Sequence, residues 1–341
     1  MNLFDGSLDL NKLPGFLNSL QPPGNDFRPQ LLAWVNEYTI NKQIFVKRFP
    51  VEQKIGQGAS SFIYKSGPQV VRVTKAKGTG VEIVDSLNRS RVETEIMESL
   101  QGSSLVVKLF ETHIVGPNVC HIMENADAGS LYDHIPEKGM PVKRALACMQ
   151  QIFSALAFIH KRGVVHYDLK PQNVLAFKNG QLKLTDFDTS LRVRDKVIDD
   201  YGDEVKKYIF GGSVAYMAPE IMTQENIGDI FKVDIYSAGK LFLMLLTNHR
   251  SFYSNPKQMI VETLQTNPYT TALRIEREVK GNSCKRCKSL FRYTLQRLPR
   301  TRKSAEWIVN RMTTWTWRPR RYGFDDQKSK TIVGDIVKLR F

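Results

Sequence analysis

Four side chains within nineteen residues could do chemistry together: Asp168, Lys170 and Asn173 in the run His166-Tyr-Asp-Leu-Lys-Pro-Gln-Asn173, and Asp186 in Thr185-Asp-Phe-Asp188. Phosphoryl transfer needs a set of this kind: a carboxylate near the acceptor hydroxyl, a cation for the moving group, and oxygen ligands for a hard divalent ion. Alone, a His-x-Asp-x-Lys string reads as a solvated turn. The second acidic site changes that reading. Asn173 to Phe177 and Gln181 to Thr185 have strand character on either side of an Asn179-Gly180 turn, so a hairpin returns Asp186 to the end where Asp168 stands. Upstream, Lys143 to His160 puts Leu146, Met149, Ile152, Phe153, Leu156 and Ile159 on one helical face. The reactive loop therefore lies between a packed helix and a strand, where rigid elements can hold it.

In order and spacing these residues resemble the catalytic loop and metal-binding triplet of eukaryotic-type protein kinases, Ser/Thr class. The resemblance implies an α+β, bilobal protein-kinase-like fold over residues 49–312. A β-rich N-lobe covers 49–123, a hinge 124–129 and an α-helical C-lobe 130–312, with 1–48 as an N-terminal extension and 313–341 as a basic, aromatic tail. It also implies ATP and Mg²⁺ as cofactors and protein hydroxyls as acceptors. Asp168 becomes the base or hydroxyl-orienting group, Lys170 the transition-state cation, Asn173 and Asp186 the metal ligands, and His166 a brace for the loop.

Other motifs extend the likeness. Val51 to Ile55 reads as a strand leading into Gly56-Gln57-Gly58-Ala59-Ser60-Ser61-Phe62-Ile63, which with Ile55 resembles the glycine-rich loop over the nucleotide, although Ser61 stands in the place of its third glycine. Two registers compete for the phosphate-gripping lysine. Val70-Val71 and Val73 would put Arg72 in that slot; the spacing of eighteen residues to Glu93, the expected helical partner, favours Lys75. Val106 to Phe110 and Val119 to Met123 read as the last N-lobe strands. Met123 then resembles the gatekeeper, with the backbone of Glu124 and Ala126 facing the adenine edge. Asp234 resembles the residue that braces the catalytic loop, Ser213 the hydroxyl bonded to the catalytic Asp and Lys, and Glu220 with Arg302 a buried ion pair.

Three departures bear on activity. Asp188 replaces the glycine of the metal-binding triplet, where a left-handed backbone would suit aspartate better than most residues. Tyr167 replaces the arginine that binds a phosphorylated activation segment in many regulated kinases. Ser130 and Gln172 replace carboxylates that select arginine before the acceptor. With Arg72, Asp188 keeps a second reading open, a pseudokinase scaffold that binds an acidic partner or nucleic acid.

The 341 residues are 42% hydrophobic, enough for one large core or two modest lobes. No apolar run approaches the length of a membrane span; Leu241 to Leu246 is bounded by Lys240 and Asn248. The Met1-Asn-Leu-Phe-Asp5 start lacks signal-peptide character, so an intracellular location, cytoplasmic or nuclear, is expected. Cys284-Lys-Arg-Cys287 is half of a zinc site without its other half. The net charge is +15, and residues 274–321 hold fifteen Lys or Arg against three Glu. That basic stretch is either a solvated surface or an attractor of acidic proteins, phosphorylated substrates or nucleic acid. Trp315, Trp317 and Tyr322 could stack on nucleotides or dock on the lobe. The compact tails and divergent loops also resemble kinases of large DNA viruses, herpesviruses among them.

Overall fold

The computed structural model describes residues 13–19, 27–58, 61–75, 81–193, 212–224, 227–248, 256–281 and 284–315. These fall into two units that part after Asn125. The first begins with three helices, α1 (Leu13–Ser19), α2 (Arg28–Tyr38) and α3 (Lys42–Arg48). Strands β1 (Gln53–Gln57), β2 (Ser61–Ser66) and β3 (Gln69–Lys75) follow, then helix α4 (Val81–Ser99) and strands β4 (Leu109–Val115) and β5 (Asn118–Glu124). The strands pair antiparallel in the order β1-β2-β3-β5-β4.

Two apolar clusters hold this unit together. Phe45 and Phe49, from α3 and its end, pack with Val71 and Val73 of β3 and Cys120 and Ile122 of β5. Alternate residues of a strand share a face, so Val71 and Val73 look one way and Arg72 the other. The second cluster joins Leu13 and Leu17 of α1 and Leu31, Trp34 and Val35 of α2 to Ile83, Val84 and Leu87 of α4. Pro29 sits in the first turn of α2, where its missing N–H costs nothing. The Tyr38 hydroxyl ends that helix with a 3.0 Å bond to Glu98 of α4.

Several expectations need correction. The N-terminal extension holds three helices, and Pro14 and Gly15 lie inside the first of them. The strand expected over Val106 to Phe110 runs from Leu109 to Val115, and the one expected at Val51 begins at Gln53. The displacement arises because Val106 and Val107, although apolar, are core residues of the approach to the strand rather than ladder residues.

The second unit contains α5 (Val142–Lys161), β6 (Val164–Val165), β7 (Val174–Ala176), β8 (Leu182–Leu184) and β9 (Leu191–Arg192). After these come α6 (Pro219–Thr223), α7 (Phe231–Thr247), α8 (Pro256–Gln265), α9 (Pro268–Lys280), α10 (Lys285–Thr294) and α11 (Ala305–Thr313). Helix α7 is buried along nearly its whole length. Gly239 allows α10 to approach it, since a Cβ there would stand 2.5 Å from Thr294 Oγ1. Helix α5 is long and apolar enough to cross a bilayer, contrary to the reading of the sequence. Its apolar stripe is instead used inside the unit, with Leu146, Met149, Ile152, Phe153, Leu156 and Ile159 all buried.

Candidate active site

The loop between β6 and β7 is built around Asp234 in the first turn of α7. Its Oδ1 accepts the Tyr167 N–H at 2.9 Å, and its Oδ2 accepts the His166 N–H at 2.9 Å and His160 Nε2 at 2.8 Å. Burial alone would raise this carboxyl, but the bonds and charge of His160 and the neighbouring His166 hold it below the usual carboxylate range. The grip fixes Tyr167 in the left-handed region, φ 70°. His166 is indeed structural in its contacts. Its Nε2–H donates to Thr185 O at 2.9 Å, its carbonyl accepts the Ser190 hydroxyl at 3.1 Å, and its ring packs on Phe187 at 5.1 Å.

With the loop held this way, Asp168 becomes the hub of a polar cluster. Its Oδ2 accepts Lys170 Nζ at 2.5 Å, and its Oδ1 accepts the Ser213 N–H at 2.7 Å. The Asn173 amide nitrogen donates to Asp168 O at 2.9 Å and lies 3.3 Å from its Oδ2. Lys170 also reaches Ser213 Oγ at 2.9 Å. Gly212 makes the approach possible, since its φ is 87° and a Cβ would fall 2.9 Å from Tyr167 O. Asp168 is 8% exposed and the Lys170 side chain 22%, so the carboxylate is largely enclosed and the ammonium beside it is the more open of the two.

The hairpin of β7 and β8 closes as expected, with the Gln181 N–H on Asn179 Oδ1 at 2.9 Å. Asp186 follows β8 in the left-handed region, φ 67°. The left-handed residue is thus Asp186, two places before Asp188, which is exposed. Because Asn173 spends its amide hydrogens on Asp168, its amide oxygen is the atom left for a cation. Asn173 and Asp186 thus offer hard oxygen donors. Among the described residues no cluster of three or more His, Cys, Asp or Glu side chains exists; a Mg²⁺ ion held by two donors would complete its shell with water and phosphate.

In the first unit, Ile55, Gly56 and Gln57 end β1, while Ser61, Phe62 and Ile63 begin β2, with Gly56 opposite Ile63 and Gln57 opposite Phe62. The Gly58 N–H closes the hairpin onto Ser61 O at 2.8 Å; Ala59 and Ser60 lie outside the described residues. Glu93 pairs with Arg72. The guanidinium and the carboxylate form an ion pair with side chains 7% and 2% exposed. Position 75 is the last of β3, opposite Asn118, and at the other parity of the strand from Arg72. Spacing along the chain pointed to the wrong residue because it ignores that parity. Met123 is buried, and the Glu124 N–H donates to Lys108 O at 3.0 Å.

Arg72 has further partners that residue spacing did not point to. His121 lies directly across from it on β5, and Arg72 Nη2 donates to its Nδ1 at 3.0 Å. Arginine can only donate, so Nδ1 is the acceptor and Nε2 carries the proton. Nε2–H goes to Thr94 Oγ1 at 2.9 Å, whose hydroxyl donates to Ser90 O at 2.8 Å. Burial and the Arg72 charge hold His121 well below the ordinary imidazole range, keeping it neutral. A lone histidine amid Val119, Cys120, Ile122 and Met123 was the available signal.

Glu220 and Arg302 form the expected buried pair, Nη1 to Oε1 at 2.5 Å and Nη2 to Oε2 at 2.8 Å. The remaining donors reach Gln296 O, Lys232 O and Arg297 O at 2.7, 3.0 and 3.1 Å, and the guanidinium lies 4.9 Å from the Tyr236 ring centre. Trp317 and Tyr322 fall outside the described residues.

Residues 49–313 match the family model described as Protein kinase domain. The chain is similar to CBL-interacting serine/threonine-protein kinase 12 of Arabidopsis thaliana, 34% identical over 218 residues, 62% of this chain and 42% of that protein. It is similar also to Calcium-dependent protein kinase 3 of Plasmodium yoelii yoelii, 30% over 223 residues, 64% of this chain and 39% of that protein. CBL-interacting serine/threonine-protein kinase 18 of Arabidopsis thaliana is 29% identical over 217 residues, 62% of this chain and 40% of that protein. The chain thus spans well under half the length of these curated relatives.

Proposed function

From the premise that the chain belongs to the protein kinase family, we propose that it is an active enzyme that transfers the γ-phosphoryl group of ATP to Ser or Thr hydroxyls of proteins. The observation that carries this reading is the Asp168 cluster, in which Lys170 and Ser213 bond the carboxylate and Asn173 bonds the Asp168 carbonyl and reaches the same carboxylate at 3.3 Å. ATP would supply the phosphoryl group and Mg²⁺ the neutralisation of its charge. Asp168 orients the acceptor hydroxyl and takes its proton, at the oxygen not closed by Ser213. Lys170 holds positive charge beside that oxygen. Asn173 and Asp186 are the residues that would hold the metal. In the first unit, Arg72 replaces lysine as the phosphate-side cation, and the Gly56-Gln57-Gly58 hairpin supplies backbone donors.

Purified protein with Mg-ATP and a mixed-sequence acceptor protein should transfer phosphate, and Asp168→Asn should reduce the rate by at least about a thousandfold, the scale set by loss of an activating base together with its positioning. Equal rates from the wild type and from Asp168→Asn would refute the reading. Arg72 is the observation that favours the rival, a nucleotide-regulated scaffold; that reading expects nucleotide to raise the unfolding temperature without any transfer.

Three finer statements belong to the same proposal. The enzyme works without phosphorylation of its activation segment, because Tyr167 offers no cation to a phosphate. Its preferred substrates are acidic or nucleic-acid-bound proteins, since Lys285, Arg292, Arg297, Arg300 and Lys303 are exposed on the second unit. Asp133 adds to this: its Oδ2 already accepts both the Ser130 N–H and hydroxyl, at 2.9 and 2.6 Å, which leaves it poorly placed to select arginine. A source in a large DNA virus rests on sequence character alone and gains nothing from the relatives named above.

A further inference from the structure

Cys284 and Cys287 take no part in phosphoryl transfer, yet they are placed as a reactive pair. Cys284 caps α10, its Sγ accepting the Cys287 N–H at 3.1 Å, and the two sulfurs are 2.6 Å apart. Cys284 is partly exposed, whereas Cys287 is fully buried. Glu276 of α9 is also fully buried and lies within hydrogen-bonding reach of the Cys287 thiol. A buried carboxylate is costly unless it is paired, and here the group beside it is a thiol.

We propose that Cys284 and Cys287 are a redox modification site, a dithiol that closes reversibly to an intramolecular disulfide, with Glu276 as the internal proton acceptor. Its oxidant is a hydroperoxide. The Cys284 thiolate attacks one peroxide oxygen, the O–O bond breaks, and the departing hydroxide leaves as water after taking up a proton, giving a sulfenic acid. The Cys287 sulfur then attacks that sulfenic sulfur. Its proton passes to Glu276 and on to the hydroxide that leaves, so two thiols and one peroxide yield one disulfide and two waters.

The electrostatics agree with this division of labour. A hydrogen bond from the Cys287 thiol, working against burial and helped by the Cys287 and Arg286 N–H groups, lowers Cys284 to about 6. It is therefore mostly thiolate near neutral pH. Cys287 is pushed up by keeping its proton in that bond, by burial, and by the charges of Cys284 and Glu276. It needs a base before it can attack. The other two thiols, Cys120 and Cys148, are buried and pushed up by burial, Cys148 to about 11. They serve as internal controls. A structural zinc site would need four ligands, and the described residues offer no cluster of three or more around the pair.

The full chain, reduced and then treated with hydrogen peroxide, should lose two thiols and the mass of two hydrogens, with peptide mapping placing the link between Cys284 and Cys287 and dithiothreitol reversing it. Cys287→Ser should stop at a Cys284 sulfenic acid captured by dimedone. Cys284→Ser, at a partly exposed site, should fold with an unchanged unfolding temperature and react at least about tenfold more slowly with peroxide. Glu276→Gln should leave the first step intact and slow closure about tenfold, so that dimedone now labels the variant that keeps both cysteines. No dimedone adduct at Cys284, oxidation falling on Cys120 or Cys148, or one zinc ion per chain in the purified protein would overturn the proposal. Equal closure rates in Glu276→Gln would remove Glu276 from it.

Discussion

Replacing Arg72 with methionine tests whether this arginine does the work of the family's lysine. The guanidinium and the Glu93 carboxylate are both almost fully buried, so solvent screens their attraction little. Methionine removes the buried cation paired with Glu93 and takes the donor from His121 Nδ1. Removing one side of such a pair costs about 3–5 kcal/mol. In a unit of this size each kcal/mol moves the unfolding temperature by roughly 4–8 °C, so the first unit should lose at least about 12 °C. If the same energy holds Glu93 in place for phosphoryl transfer, the rate should fall by at least about a hundredfold, at 1.36 kcal/mol per factor of ten. Arg72→Lys keeps the charge but not the planar fork that meets both Glu93 and His121, and should retain about a tenth of the rate. Lys75→Met should retain at least about half. The assays are transfer from Mg-ATP to a mixed-sequence protein and thermal unfolding with and without nucleotide. Transfer abolished by Lys75→Met and spared by Arg72→Met would refute the assignment.

Three further outcomes are expected. Arg302→Lys should destabilise the second unit by about 3 kcal/mol in urea unfolding, because an ammonium cannot serve Glu220 and three carbonyls at once; a loss under about 1 kcal/mol would place the pair among dispensable contacts. His121 is held below its unfolded value, so the stability tied to its neutral form is complete above about pH 6.5 and is lost as pH falls toward the folded value. His121→Gln should therefore flatten the fall of unfolding free energy between about pH 6.5 and pH 5, and an unchanged slope would assign that fall to other groups. Phosphatase treatment of the purified enzyme should leave its rate unchanged, whereas a drop of more than about tenfold would mean that a phosphate in the activation segment acts through cations other than a residue at 167.

Spacing and residue type were enough to locate the catalytic loop, because Asp168, Lys170 and Asn173 lie within six residues and are oriented by local hydrogen bonds. The hairpin that delivers Asp186 was equally local, carried by one Asn-Gly turn. Reading failed where contacts span the chain. Glu93 chooses between positions 72 and 75 by which strand face meets α4, a matter of parity that counting residues along the chain does not register. The pattern was nevertheless present, since Val71 and Val73 flank Arg72 and both enter the apolar cluster with Phe45. His121 and Thr94 were beyond reach for a related reason: they become partners of Arg72 only once β5 lies beside β3 and α4 lies across both.

The same long-range contacts bear on how the proposed enzyme would be controlled. Helix α4 carries Glu93, and its face is claimed twice within the first unit. Leu13, Leu17, Leu31, Trp34 and Val35 of the N-terminal helices bury Ile83, Val84 and Leu87, and Tyr38 bonds Glu98. On another face, the chain from Arg72 through His121 to Thr94 ties the helix to the sheet by hydrogen bonds whose polarity admits one arrangement. Displacing Glu93 would expose several apolar side chains and also leave buried polar groups unpaired, costs that add rather than compete. A helix anchored on both counts has little need of a phosphate elsewhere to set its position, which is the physical ground for proposing activity without phosphorylation and for expecting loss of the Arg72 pair to be felt beyond residue 72.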